Sequence, residues 1–156
     1  MRKLTLLATL ALLPCVTFGE ASRLSANLKG FTAVCTNAYF EEKNVKSDAV
    51  ATRLIARMDA SLNKAGIPTV PGDCQKGGLK TKKQLNLYYT FVTTGSGKVA
   101  RATLEGWLDQ EGGYREVTLW NNDLFGEGDP GNGSIDAADF LDTLLDAFVE
   151  DWDEAH

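Results

Sequence analysis

Residues 84–120 constrain the fold more than any other stretch. Leu85, Leu87, Tyr89 and Phe91 alternate with Asn86, Tyr88, Thr90 and Val92. Gly95-Ser96-Gly97 then supplies a hairpin turn, and Ala100, Ala102, Leu104 and Leu108 share one face of a second run over 98–108. After a turn at 109–113, Val117 and Leu119 stand opposite Tyr114, Glu116, Thr118 and Trp120. A strand turns successive side chains to opposite faces. Three such runs therefore predict an antiparallel meander with one buried and one wetter face. Trp107 and Trp120 fall on neighbouring runs and are expected to pair across the sheet.

The flanking segments supply helices. Residues 20–30 read as a lead-in, and 31–40, aromatic and apolar, as a first strand carrying Cys35. Ser47 is placed to cap a helix in which Ala51, Leu54, Ile55, Met58, Leu62 and Ala65 recur at helical spacing, with Gly66 as its left-handed stop. Residues 67–70 read as a short edge strand because Pro68 cannot donate to a ladder. A loop over 71–83 holds Cys74 and Lys76, Lys80, Lys82 and Lys83. Ile135, Ala138, Leu141, Leu145, Phe148 and Trp152 form the apolar stripe of a last helix over 135–152. The order predicts an α+β domain: an antiparallel sheet of about four to five strands with two helices packed on one face. This layout resembles small periplasmic domains of bacterial envelope assemblies, a resemblance of element order alone.

The start of the chain reads as an export signal. Arg2 and Lys3 precede an apolar run from Leu4 to Leu13, Pro14 breaks it, and small residues then permit cleavage after Gly19. The run is too short to span a bilayer, which takes about 20 residues. Cys15 opens a lipoprotein alternative, although Pro14 stands where a small residue is needed. Cleavage leaves one domain, 20–156, with two cysteines, and export then predicts a disulfide between Cys35 and Cys74. The expected destination is periplasmic or secreted. Losing Arg2 and Lys3 takes the net charge from −5 to −7, which argues against a nucleic-acid partner. The charge is polarised: from Asn121 onward there are eleven Asp and Glu, of 21 in all, and no Lys or Arg. Such a face is a solvated surface or a contact for a cationic partner.

The stretch from Gly128 to Asp139 resembles the calcium loop of EF-hands, most closely the dockerin variety. Calcium takes six to eight hard oxygens around a tight Gly turn. Counted back from Asp139 as the twelfth position, Asn132 and Gly133 match the fifth and sixth, Ile135 the eighth and Asp136 the ninth. Gly128 and Pro130 then occupy the first and third positions and offer no side-chain oxygen, so Asp129 serves only in a shortened loop. The resemblance implies a calcium site at Asp129, Asn132, Asp136 and Asp139. The alternative is a turn whose Ser134 caps the last helix.

Catalytic patterns are sparse. His156 is the single histidine and the last residue, where chains are usually mobile, so a Ser-His-Asp or Cys-His site lacks a base. There is no phosphate loop and no zinc-ligand spacing. A small carboxylate-dependent hydrolase is the remaining catalytic reading. The expectation is a non-catalytic exported domain that binds an envelope or extracellular macromolecule, with Tyr88, Trp107, Tyr114 and Trp120 as candidate contacts. A calcium-binding module is the first alternative. If the loop takes calcium, the oxidised domain melts several degrees higher in millimolar calcium than in EDTA, and Asp129→Ala or Asp139→Ala abolishes the difference. Superimposable melting curves reduce the loop to a turn and cap.

Overall fold

The computed structural model describes residues 23–70, 74, 83–111 and 114–156, the side chains of 110–111 and 114–116 excepted. The expected signal at 1–19 and the loop lysines Lys76, Lys80 and Lys82 lie outside the described residues. A 3-10 turn, Ser25–Leu28, leads into β1 (Ala33–Glu42), β2 (Val45–Lys46) and α1 (Asp48–Lys64). Strands β3 (Gln84–Thr93), β4 (Val99–Glu111) and β5 (Tyr114–Glu127) follow, and α2 (Gly133–Ala155) closes the chain.

The α+β class, the two helices and the Cys35–Cys74 disulfide match expectation. The sheet differs in being mixed. Its order is β2-β1-β3-β4-β5, and β1 runs parallel to β3 from Ala33↔Gln84 to Glu41↔Val92. The cause is α1: a helix inserted between two neighbouring strands returns the chain to the end where it started, so the second strand repeats the first one's direction. Only β3-β4-β5 form the expected antiparallel meander.

Strand β2 was not legible as a strand. It pairs with β1 through Glu42↔Val45, and the intervening Lys43 and Asn44 both have positive φ, 52° and 64°. Two such residues make a type I′ turn, here without the glycine that usually marks one. The expected strand at 67–70 shrinks to a single bridge, Val34↔Thr69, in which the Val34 N–H donates to the Pro68 carbonyl. Strand β5 continues seven residues past Trp120, the last residue of the third alternating run, to Glu127. Asn121 and Asn122 are poor strand formers, but the ladder to Leu104 and Glu105 overrides that preference.

Both helices lie on one face of the sheet. Helix α1 starts at Ser47, whose side chain accepts from the Val50 N–H at 3.4 Å. It ends in a Schellman motif: Gly66, at φ +81°, donates to the Asn63 carbonyl and Ile67 donates to that of Leu62. Leu54, Met58 and Leu62 form its buried stripe. Helix α2 buries Ala137, Leu141, Leu144, Leu145, Phe148 and Trp152, whereas Ile135, expected in that stripe, is exposed. The covered sheet face offers Leu85, Leu87, Tyr89 and Phe91 from β3 and Ala100, Ala102, Leu104 and Leu108 from β4, all buried. Phe40 stacks on Phe91, and the Tyr89 hydroxyl donates to the Ala137 carbonyl at 2.7 Å.

The lead-in is part of the core: Leu28 and Phe31 are fully buried. Arg23 reaches the end of α2, where its Nε and an Nη donate to Asp151 at 2.8 and 2.9 Å. The Trp120 Nε1 donates to the same carboxylate at 2.7 Å. This arrangement offsets the acidic end of α2, whose carboxylates oppose the helix dipole. Burial works to raise the Asp151 carboxyl, but the bonds from Arg23 and Trp120 outweigh it and hold it below the usual carboxylate range. A depressed carboxyl stabilises the fold above its unfolded value, near pH 3.9, and that contribution is lost as pH falls through the folded value. Asp142, lowered by the hydrogen bonds of Arg57, titrates with the same sign. Asp151→Asn, which keeps an acceptor for Trp120, is expected to lose about 2 kcal/mol at pH 7 and to show a shallower loss of stability below pH ~4. Urea titrations at several pH values measure both.

Candidate functional site: the open face of the sheet

Strand alternation sends every second residue away from the helices. The ladders then align those residues in rows across β1, β3, β4 and β5. One row is Cys35, Asn86, Trp107 and Thr118. The next is Asn37, Tyr88, Glu105 and Asn121. A third is Tyr39, Thr90, Thr103 and Asp123, and a fourth is Glu41, Val92, Arg101 and Phe125. Among the described residues no helix covers these rows.

The third and fourth rows are internally satisfied. Lys46 of β2 lies over the Tyr39 ring at 5.1 Å, and the Tyr39 hydroxyl donates to Glu41. Arg101 lies over the Phe125 ring at 5.4 Å and pairs with Asp123 at 3.1 Å. Thr103 also donates to Asp123, at 2.6 Å. Each unit combines an aromatic ring, a carboxylate and a cation on the ring face, a geometry in which the ring quadrupole attracts the charge.

The first two rows are not satisfied. Tyr88, Glu105, Trp107 and Thr118 line an open groove of about 350 Å³. The Glu105 carboxylate forms no hydrogen bond or ion pair among the described residues. Asn86 is 1% exposed, yet neither its Nδ2 nor its Oδ1 has a partner, and the buried Asn121 Oδ1 has none either. These three are the orphaned buried side-chain polar atoms among the described residues, and all belong to this patch. Buried polar groups are ordinarily paired, so such a cluster marks a place where hydrogen-bonding capacity is unused. Burial, followed by neighbouring Tyr39 and Glu105, pushes the Tyr88 phenol up, against a smaller opposing pull from Lys46.

Two of the four expected contact aromatics, Tyr88 and Trp107, therefore meet in the groove. Trp120 does not. It is fully buried on the opposite face, edge-on to Phe148 at 5.1 Å. The expected Trp107–Trp120 pair fails because the β4–β5 register shifts between Gly106 and Trp107: Trp120 faces Gly106 and Trp107 faces Thr118. The extra β5 residue, Leu119, puts Val117 and Trp120 on one face where strict alternation separates them. Gly106 is required there, since a Cβ at that position would sit 3.0 Å from Leu85 and 3.5 Å from the Trp120 Cβ. The Tyr114 side chain lies outside the described residues. Glu105, Asn86 and Asn121 were missed by sequence reasoning, and their only signal was a place on the wetter face of the alternation.

The loop at 128–139 is hydrogen-bonded within itself. The Asn132 side chain donates to Asp129 at 2.6 Å, and the Asp129 N–H donates to Asp136 at 2.9 Å. Glu42 of β1 accepts from the Gly131 N–H at 2.8 Å. Asp139 is exposed in the second turn of α2, and Ile135, the residue that pins such a loop in EF-hands, is 58% exposed. The helix begins at Gly133 with Asn132 as its N-cap, so Ser134 lies inside it rather than capping it. Among the described residues no group of three or more His, Cys, Asp or Glu is arranged to hold a metal. His156, expected to be mobile, stacks on Trp152, and its two ring nitrogens meet the Trp152 and Phe31 carbonyls at 2.9 and 2.8 Å. A second groove, between the helices, is occupied by its own ion pair, Arg57 to Asp142 at 2.7 and 2.5 Å.

No protein-family model matches the chain, and neither a curated protein nor a solved structure matches it.

The two tryptophans are expected to separate in their effect on stability. Trp120→Ala empties the core and removes one of the hydrogen bonds to Asp151, and should cost about 3–5 kcal/mol. Trp107→Ala on the open face should cost about 1 kcal/mol or less. Equal costs in urea unfolding would place Trp107 in the core.

Proposed function

We propose that the protein is an exported, non-catalytic binding domain that docks an envelope or extracellular macromolecule on the open face of its sheet. The observation that carries this reading is the one-sided architecture. Both helices pack on one face, while the other presents half-buried Tyr39, Tyr88 and Trp107 and a Phe125 that is 70% exposed. Aromatic residues on an uncovered sheet are typical of contact surfaces, since they bury large area at low entropic cost.

Export is supported by the Cys35–Cys74 disulfide, which closes a separation of 39 residues and suits an oxidising compartment. Among the described residues no helix is long and apolar enough to cross a membrane. A non-catalytic role is supported by the single histidine, whose ring nitrogens are both occupied by backbone carbonyls.

Site-specific photo-crosslinking in the native host tests the docking face. A benzophenone side chain at Thr90 or Thr118, on the open face, is expected to give a defined adduct, and one at Asp139 or Asp146 of α2 is not. Adducts formed only from the helix positions would move the interface to the acidic helix and overturn the reading.

A further inference from the structure

The open face repeats one device, and one copy of it is incomplete. In the Tyr39 unit, Lys46 is the cation and Glu41 the carboxylate. In the Phe125 unit, Arg101 is the cation and Asp123 the carboxylate. The Tyr88–Trp107 unit has two rings and a carboxylate, Glu105, but among the described residues no cation lies over either ring or pairs with Glu105, and Lys46 acts on Tyr88 only from over the Tyr39 ring. We infer that this groove is a recognition site for a cationic side chain, a lysine or arginine of the docked partner, held by Glu105 between the Tyr88 and Trp107 rings. This rests on the open face being the docking face.

Hydrogen-bond chemistry points the same way. The one charged group lining the groove is the Glu105 carboxylate, and it has no partner among the described residues. A lysine ammonium or arginine guanidinium carries several donors and a positive charge, so either can pair with that carboxylate. The net charge of the chain, −5, favours approach of a basic partner over long range. Among the described residues Glu105 pairs with no cation, whereas Asp123 is held by Arg101 and Glu41 by the Tyr39 hydroxyl, so this carboxylate is open to a charge from outside.

The test is a nitrogen–proton NMR titration of the oxidised domain with a blocked Ala-Lys-Ala tripeptide. Its ε-acetyl-lysine counterpart and a chito-oligosaccharide serve as uncharged controls. The expected result is a saturable shift of the Trp107 indole and the Tyr88 and Glu105 amides with the lysine peptide alone. Glu105→Gln should weaken it about tenfold, and Trp107→Leu should weaken it too. If the acetylated peptide or the sugar shifts the same resonances as strongly, or if Glu105→Gln leaves the titration unchanged, the cationic specificity is overturned while the docking face stands. If no probe moves the groove and the lysine peptide perturbs only the acidic positions of α2, the specificity and the docking face fail together.

Discussion

A five-stranded sheet covered by helices on one side only is the constraint on which the rest of this structure depends. The covered side is built by period-two alternation. Leu85, Leu87, Tyr89 and Phe91 meet Ala100, Ala102 and Leu104 laterally and the stripes of both helices above them. Among the described residues the other side has no helix layer against which to bury its rings. It solves that problem locally, by laying Lys46 over Tyr39, whose hydroxyl is held by Glu41, and Arg101 over Phe125, with Asp123 pairing the guanidinium. Lysine and arginine stems cover apolar surface while their heads remain wet, so these pairs shield ring faces without a helix. The same economy makes the Tyr88–Glu105–Trp107 groove conspicuous, because there it is unfinished.

The polarised charge of the chain is partly resolved by the fold. Arg23, 128 positions from Asp151 in sequence, is brought to the buried end of α2 and shares its carboxylate with the Trp120 indole. Arg57 of α1 does the same for Asp142. The acids that remain exposed on α2, such as Asp139, Asp146 and Asp153, leave that helix solvated on its outer side. Removing one partner from the Asp151 cluster strands a buried charge, which is why the cluster is a sensitive point of the fold.

Much of this was legible in the sequence, and what was not has physical causes. The three alternating runs, the Ser47 cap and the Gly66 stop are local signals and lie where the pattern places them. Direction and register are not local. The parallel β1–β3 pairing depends on which strand α1 returns the chain beside, and no residue pattern states that. The Leu119 bulge moves Trp120 from the expected wetter face to the core, a change of one residue that strict alternation cannot anticipate. The Lys43-Asn44 turn escaped because it lacks glycine. For the site, Tyr88 and Trp107 were legible as aromatics on strands, whereas Glu105 gained meaning only once the ladders set it between them.

The central claim is that the groove is a cation site lacking its cation, and supplying that cation within the chain tests it most directly. Thr118 is exposed and faces Trp107 across the β4–β5 ladder, so a lysine there can reach over the ring toward Glu105. The stability change of Thr118→Lys should be measured in the wild-type and Glu105→Gln backgrounds, a cycle that cancels the difference in strand propensity between Thr and Lys. The account predicts that the lysine is favoured by about 0.5–1 kcal/mol more when Glu105 is present. An identical change in both backgrounds would mean that Glu105 and the rings do not hold a cation, and would contradict the claim.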